Sequence, residues 1–419
     1  MPDTAPGGAD AAPRRWRMLA LLAVSELLGM SVWFAGTVLA PALSRSWGLT
    51  PAESAWITSI VPLGFVAGTL TLAVLNIPDT VPSRTLFTAA ALGAAAANAL
   101  LLAATGYGTA LLFRFATGAC LAGVYPPAMK MAATWFRAAR GLAIGSVVGA
   151  LTIGKALPYL FEAIGGERMR VVLLGTSGAA TLAGALIWLL YRDGPFAFAR
   201  RPFSWHLAGT VFRDRRLRLV TSGYLGHMWE LYAFWAWIGG YFAASAARRA
   251  LLGHAPPTVT ALRLLTFVTI AIGAVGCVYG GRLADRIGRE RLVITALIVS
   301  GSCAMLSSAV FGASWWLVVP LAWVWGIAVV ADSAQFSALA TELAPAHGVG
   351  TALTLQTSLG FLLTMASIQL VPLVVAAAGW RFAFPVLAAG PALGILAMQR
   401  VRAGDGAPPA RVATPAGTG

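Results

Sequence analysis

Gly281-Arg282-Leu283-Ala284-Asp285-Arg286-Ile287-Gly288-Arg289-Glu290-Arg291 puts six charged residues into eleven positions of a chain that is only 11% charged. Apolar runs flank it, at 260–281 and 291–311. Each is about 20 residues long, enough for a helix to cross a hydrocarbon core of about 30 Å. A charged turn between two such runs reads as a loop at a membrane surface.

Moving outward, the same pattern repeats along nearly the whole sequence. Twelve spans are predicted, at 18–40, 54–75, 85–104, 109–134, 140–160, 170–191, 218–244, 260–281, 291–311, 315–341, 349–373 and 379–399. The bulk composition agrees: 58% of the 419 residues are hydrophobic, and the charged share is less than half of the roughly 25% usual in soluble domains. The net charge of +15 sits mainly between the runs, so it reports topology rather than nucleic-acid binding. Cys120, Cys277 and Cys303 all lie inside apolar runs. They form neither a metal-ligand spacing nor a disulfide framework, and no cofactor or metal is expected. Arg14, Arg15 and Arg17 precede the first run. That run is too long for a signal peptide and contains Glu26, so it is read as an uncleaved helix.

The long polar stretch around 192–217 divides the chain into six spans plus six. The expected organisation is a disordered tail at 1–13, a six-helix bundle at 14–191, a cytoplasmic basic linker at 192–217, a second bundle at 218–400 and a disordered tail at 401–419. With the N-terminus inside, twenty of the thirty Lys and Arg residues fall on the cytoplasmic side, seven fall outside, and Arg114, Lys130 and Lys155 fall within spans. This bias predicts cytoplasmic termini. The linker is expected to lie against the anionic inner leaflet.

The two halves echo each other. Glu26-Leu27, then Trp33 and Gly36, match Glu230-Leu231, then Trp237 and Gly240, at an offset of 204. The turn Leu75-Asn76-Ile77-Pro78-Asp79, followed by Arg84, echoes the opening motif at an offset of 206.

Gly281-x-Leu283-Ala284-Asp285-Arg286-x-Gly288-Arg289-x-Arg291 resembles the cytoplasmic loop motif of the major facilitator superfamily (MFS). Arg114-x-x-x-Gly118, Gly123, Pro126, Trp135-Phe136 and Arg140-Gly141 resemble that family's fourth helix and the loop after it. The likeness covers roughly 15–400. The first copy of the loop motif, around Asp79 and Arg84, is degenerate. The resemblance implies an all-α membrane protein of the bacterial, twelve-helix type: two pseudo-symmetric six-helix bundles in the inner membrane, moving a small solute by alternating access. The family's antiporters often carry a Gly-Pro pair in the fifth helix. Here Gly145 is followed by Ser146, and the proline comes late, at Pro158.

The loop motif also has a mechanical reading. Gly288 permits a sharp bend, and Asp285 is expected to face the N-terminus of the fifth helix near Gly141, attracted to its dipole. Gly141, Gly145 and Gly149 recur at a spacing that lets helices pack closely in lipid.

An ionisable residue at bilayer depth is costly and therefore a functional candidate. Glu26 and Glu230 fall near the midplane, where transporters place ion and substrate sites, and are candidates for proton coupling. His227 is three residues before Glu230 on the same face, so the two are expected to share a proton. Arg114 and Lys155 lie at similar depth and are expected either to bind an anionic substrate or to neutralise Glu26. Trp33, Tyr232, Trp235 and Trp237 are candidates to line an aromatic cavity. Lys130 and Asp332, near the inner ends of the fourth and tenth helices, are expected to meet when an inner gate closes. Gly281, Asp285, Arg286, Gly288, Arg289, Asp79 and Arg84 complete the candidate gating set.

The function expected is a proton-coupled secondary transporter of a small organic solute, with an organic anion among the candidates. A drug/proton antiporter exporting cationic or hydrophobic compounds is the alternative, and a transporter-like sensor is a further one. No catalytic cluster indicates an enzyme. The partners expected are the substrate, protons and membrane lipids, with no nucleic acid, and a monomeric state.

Overall fold

A computed structural model describes residues 11–136, 140–166, 168–196, 209, 213–344 and 348–404. Among them no strand occurs. Eleven helices are long and apolar enough to cross a bilayer: α1 (Pro13–Trp47), α2 (Pro51–Val74), α3 (Ser83–Ala103), α4 (Tyr107–Ala133), α5 (Gly141–Gly165), α6 (Met169–Leu190), α8 (Val259–Ile287), α9 (Arg289–Val310), α10 (Trp315–Leu343), α11 (Val349–Ala378) and α12 (Trp380–Arg402). Between α6 and α8 stands α7 (Arg215–Leu251), whose 37 residues reach about 55 Å. It is more polar than the others, with arginines at both ends and His227 and Glu230 in its middle. Eleven of the twelve expected spans fall on these helices; the remaining one, 218–244, lies within α7, which is not among the eleven. Large apolar side chains such as Leu112, Leu189, Trp316 and Leu393 point outward, as a lipid-facing surface requires.

Several boundaries move. Arg215 and Arg216, expected in the linker, open α7, because the Asp214 carboxylate accepts the Leu217 N–H at 2.7 Å and starts the helix there. At the N-terminus a helix already runs from Ala11, inside the expected tail. Residues 1–10 and 405–419 of the two tails, 197–208 and 210–212 of the linker, and Arg137 lie outside the described residues.

The first span is expected to be one helix but is broken. An α-helix ends at Gly29, a tight 3₁₀ turn covers Met30–Val32, and a second α-helix runs over Ala35–Trp47. The freed carbonyls of Val32 and Trp33 need donors, because no water reaches them at this depth. Arg114 of α4 supplies both, as described below.

α5 ties the halves together. Gly145 and Gly149 let its backbone approach α8, where a Cβ at Gly145 would stand 2.9 Å from the Cys277 carbonyl oxygen. On its other side Gly154 sits so tightly against α1 that any Cβ would overlap the Leu27 carbonyl oxygen. Gly154→Ala is therefore expected to lower stability by about 1–3 kcal/mol, seen as a lower melting temperature of the purified protein. An unchanged melting temperature would show that α1 and α5 can separate freely.

Candidate substrate and proton site

A narrow cavity of about 50 Å³ lies between the halves. Its walls come from α1, α2, α4, α5, α7, α10 and α11. Toward the end of the molecule that carries the N-terminus, its lining residues Tyr125, Ser333, Ser337 and Thr357 are partly exposed. At its other end Trp33, Phe65, Tyr232, Trp235 and Phe361 are all buried. The cavity is thus open toward the terminal end and shut toward the opposite one.

The shut end is an aromatic plug drawn from both halves. Trp33 of α1 packs against Tyr232 of α7 at 5.6 Å and against Phe361 of α11 at 5.5 Å between ring centroids. Phe65 of α2 meets Phe361 at 4.6 Å, and Tyr232 meets Trp235 at 5.3 Å. Beyond the plug, three polar contacts cross between the halves. Tyr159 donates to the Trp235 carbonyl at 3.2 Å, Gln369 donates to Ser59 at 3.3 Å, and Arg263 pairs with Glu162 at 2.9 Å. The Arg263–Glu162 pair is partly exposed and worth about 1 kcal/mol. Glu162→Gln is expected to favour opening at that end about five-fold. The readout is faster labelling of a Ser59→Cys variant by an impermeant maleimide, and an unchanged rate would remove the latch role.

Lys155 projects from α5 into the plug. Its ammonium lies 4.1 Å from the Trp33 ring centre, 4.4 Å from that of Tyr232, 5.5 Å from that of Trp235 and 6.0 Å from that of Phe361, and it donates to the Tyr232 hydroxyl. Ring faces attract a desolvated cation by about 2 kcal/mol or more, which holds Lys155 at 1% exposure. Among the described residues lining the cavity, Lys155 alone carries a charge; the rest are apolar, aromatic or hydroxylic.

Glu26 on α1 is fully buried, and neither carboxyl oxygen has a hydrogen-bond partner among the described residues. Lys155 is the cation that acts on it electrostatically. The structure thus brings Glu26, Lys155, Trp33, Tyr232 and Trp235 together.

Other expected groupings do not form. Arg114 is absent from the cavity wall. Its guanidinium donates to the Val32 carbonyl at 3.0 Å, to the Trp33 carbonyl and to Asn98 Oδ1 at 3.4 Å. Asn98 in turn donates to Thr176 and Ser177 of α6, each at 3.0 Å. Gly36 makes room for this guanidinium, since a Cβ there would overlap it.

Trp237 stands away from the cavity as well. It donates to the Ile368 carbonyl at 3.0 Å and packs on Trp380, because the unbroken α7 carries it past the plug. His227 and Glu230 share a helix face but lie against different partners. Glu230 accepts from Ser300 at 2.7 Å and from Trp325 Nε1 at 2.8 Å. His227 turns instead to Asp332, 2.9 Å away, both 1% exposed. Lys130 and Asp332, expected to meet when the inner gate closes, stand apart while the cavity is open at the terminal end. Lys130 is held in its own half by Asp79 at 3.1 Å and by the Pro78 carbonyl, while Asp332 is buried against His227.

At the terminal end Gly288 takes φ 91° between α8 and α9, a bend that L residues rarely adopt. Asp285 lies beside the first turn of α5, 3.9 Å from where a Cβ on Gly141 would be. Gly281 approaches the same turn. Arg286 is exposed. Arg289 pairs with Glu342 at 2.9 Å and Gln335 at 2.8 Å on α10. Arg84 stacks over Trp188 at 4.8 Å.

Sequence reasoning missed Phe65, Phe361, Tyr125, Tyr224 and Asn98. A lone amide inside an apolar run could have flagged Asn98; nothing separated the two phenylalanines from core packing.

A family model described as "Major Facilitator Superfamily" matches residues 21–261, more than half of the chain. The chain belongs to the major facilitator superfamily. A second family model, "Sugar (and other) transporter", matches 221–402. No curated protein matches the sequence significantly. Among solved structures, the nucleoside transporter NupG superposes with a TM-score of 0.69 at 13% identity, covering 92% of this chain and 99% of its own. A bacterial homolog of the human lysosomal transporter Spinster, captured inward-facing and unoccupied, gives 0.64 at 16% identity, with 94% and 95% covered. These likenesses show the MFS fold. The protein is a multi-pass membrane transporter, not an enzyme, and the family implies a small-molecule substrate.

Proposed function

We propose that the protein carries a small organic anion across the membrane together with a proton. The observation that supports this is Lys155: a single cation at the closed end of the cavity, ringed by aromatic faces, with Glu26 buried and hydrogen-bond-free behind it. A carboxylate or phosphate reaching the ammonium replaces the Tyr232 hydroxyl. The organic part stacks on Trp33, Tyr232 and Trp235, and Ser333, Ser337 and Thr357 offer hydrogen bonds.

Charge balance supplies the coupling. An uncompensated charge at bilayer depth is expensive, so the site crosses most cheaply when neutral. Empty, it is neutral with Lys155 charged and Glu26 ionised. Loaded, it is neutral with Lys155 charged, the substrate negative and Glu26 protonated. One proton then travels with one monovalent anion. The arginine bias puts both termini in the cytoplasm, and the protein works as a monomer in the inner membrane. Among the described residues lining the cavity there is no carboxylate to receive a cation, which disfavours the drug-export alternative.

The test is uptake into proteoliposomes of aromatic and aliphatic carboxylates, with nucleosides and organic cations as the opposing arms, with and without an inward proton gradient. An anion should accumulate with the gradient, and Glu26→Gln should keep exchange of that anion but lose gradient-driven accumulation. Transport restricted to cations, or indifferent to the gradient in both proteins, would overturn the reading.

A further inference from the structure

A second opening lies on the outer flank of the C-terminal half, away from the transport cavity. α8, α9 and α10 border an open lateral groove of about 610 Å³. Its floor is bare backbone. A Cβ at Gly276 would overlap the Ile327 carbonyl oxygen, and one at Gly280 would stand 2.5 Å from the Ala331 oxygen, so no side chain can fill it from α8. Its apolar walls include Tyr279, Leu283 and Leu292; Tyr279 is 62% and Leu283 44% exposed. At the terminal end of the groove stand Arg282 and Arg286, four residues apart and hence on one helix face.

These two arginines are differently placed from their neighbours. Arg289 is committed to Glu342 and Gln335. Asp285 is turned toward α5. Arg282 and Arg286 make no ion pair among the described residues and are exposed, with Arg282 stacked 5.9 Å from the Tyr279 ring. An apolar slot ending in two unpaired guanidiniums, with a tyrosine between, has the polarity of a phospholipid: acyl chain along the slot, phosphate at its mouth. Guanidinium pairs bind phosphate well, and each basic residue near an anionic leaflet adds to the attraction.

We propose that this groove is a binding site for an anionic phospholipid of the leaflet at the terminal end. The proposal is independent of what the central cavity carries. The expected preference is about thirty-fold for phosphatidylglycerol over phosphatidylcholine.

The test is native mass spectrometry of the purified full chain with the two lipids in competition. Wild type should retain phosphatidylglycerol selectively. Arg282→Gln with Arg286→Gln should erase the preference, and Arg400→Gln, at the same end but outside the groove, should keep it. Leu283→Trp, which fills the slot with both arginines intact, should also reduce retention. Millimolar inorganic phosphate should fail to displace the lipid. Equal retention of both lipids by wild type, a preference that survives the double arginine variant, unchanged retention by Leu283→Trp, or displacement by free phosphate would each overturn the proposal.

Discussion

Lys155→Ala is expected to abolish transport while leaving the protein folded. The ammonium is the charged group at the closed end of the cavity, and the Tyr232 hydroxyl and four rings converge on it. Removing one partner of a buried charged contact costs about 2–5 kcal/mol of binding, so substrate affinity should fall about 100-fold or more. The variant also strands Glu26 without its cation. Adding Glu26→Gln removes that penalty, because a neutral buried amide needs no counter-charge. The double variant should therefore recover any melting temperature lost by Lys155→Ala, without recovering transport. Lys155→Arg keeps the charge, but its wide planar head does not fit a cage built around a compact ammonium, so partial activity is expected. Binding by calorimetry, uptake in proteoliposomes and melting curves separate these outcomes. Substrate affinity unchanged in Lys155→Ala would place the binding site elsewhere.

The loop motif and the spans were legible because they depend on short-range patterns. Apolar length specifies a crossing, and Gly288 with Asp285 specifies a bend whose acid lies beside a helix of the other half. The side-chain roles were less legible. Glu26 and Glu230 sit at matching places in the internal echo, as do Trp33 and Trp237, yet the members of each pair diverge. α1 breaks at Met30–Val32 and swings Trp33 into the plug, whereas α7 runs straight and carries Trp237 past it. Nothing local distinguishes them, since both stretches are apolar and followed by glycine. Likewise, the spacing of His227 and Glu230 correctly put them on one face. It could not show that Ser300 and Trp325 on neighbouring helices would claim the glutamate, or that Asp332 would claim the histidine. A sequence displays which polar groups are buried more readily than which other groups reach them.

Arg114 carries the sharpest consequence of that distinction. Sequence alone offers it as a substrate ligand or as a counter-charge to Glu26; in the structure its guanidinium spans a broken helix. Arg114→Leu would leave the Val32 and Trp33 carbonyls and Asn98 Oδ1 without their donor, and each unsatisfied group in a dry interior costs up to several kcal/mol. The expected loss of stability is about 3–5 kcal/mol, the usual cost of breaking a buried charged contact, enough to prevent recovery of monodisperse protein. Arg114→Lys should rescue little, because a single ammonium cannot reproduce a fork that spans two carbonyls and an amide. Asn98→Ala should give a milder loss of about 1–3 kcal/mol. Because the two residues share one network, the loss from combining it with Arg114→Leu should fall short of the sum. Melting temperatures of the purified variants, read beside substrate affinity, decide the matter. A substrate ligand would lose affinity in a protein that still folds and purifies, as Lys155→Ala is expected to do. If Arg114→Leu melts with wild-type protein and only its affinity falls, the break in α1 is held by something other than this guanidinium.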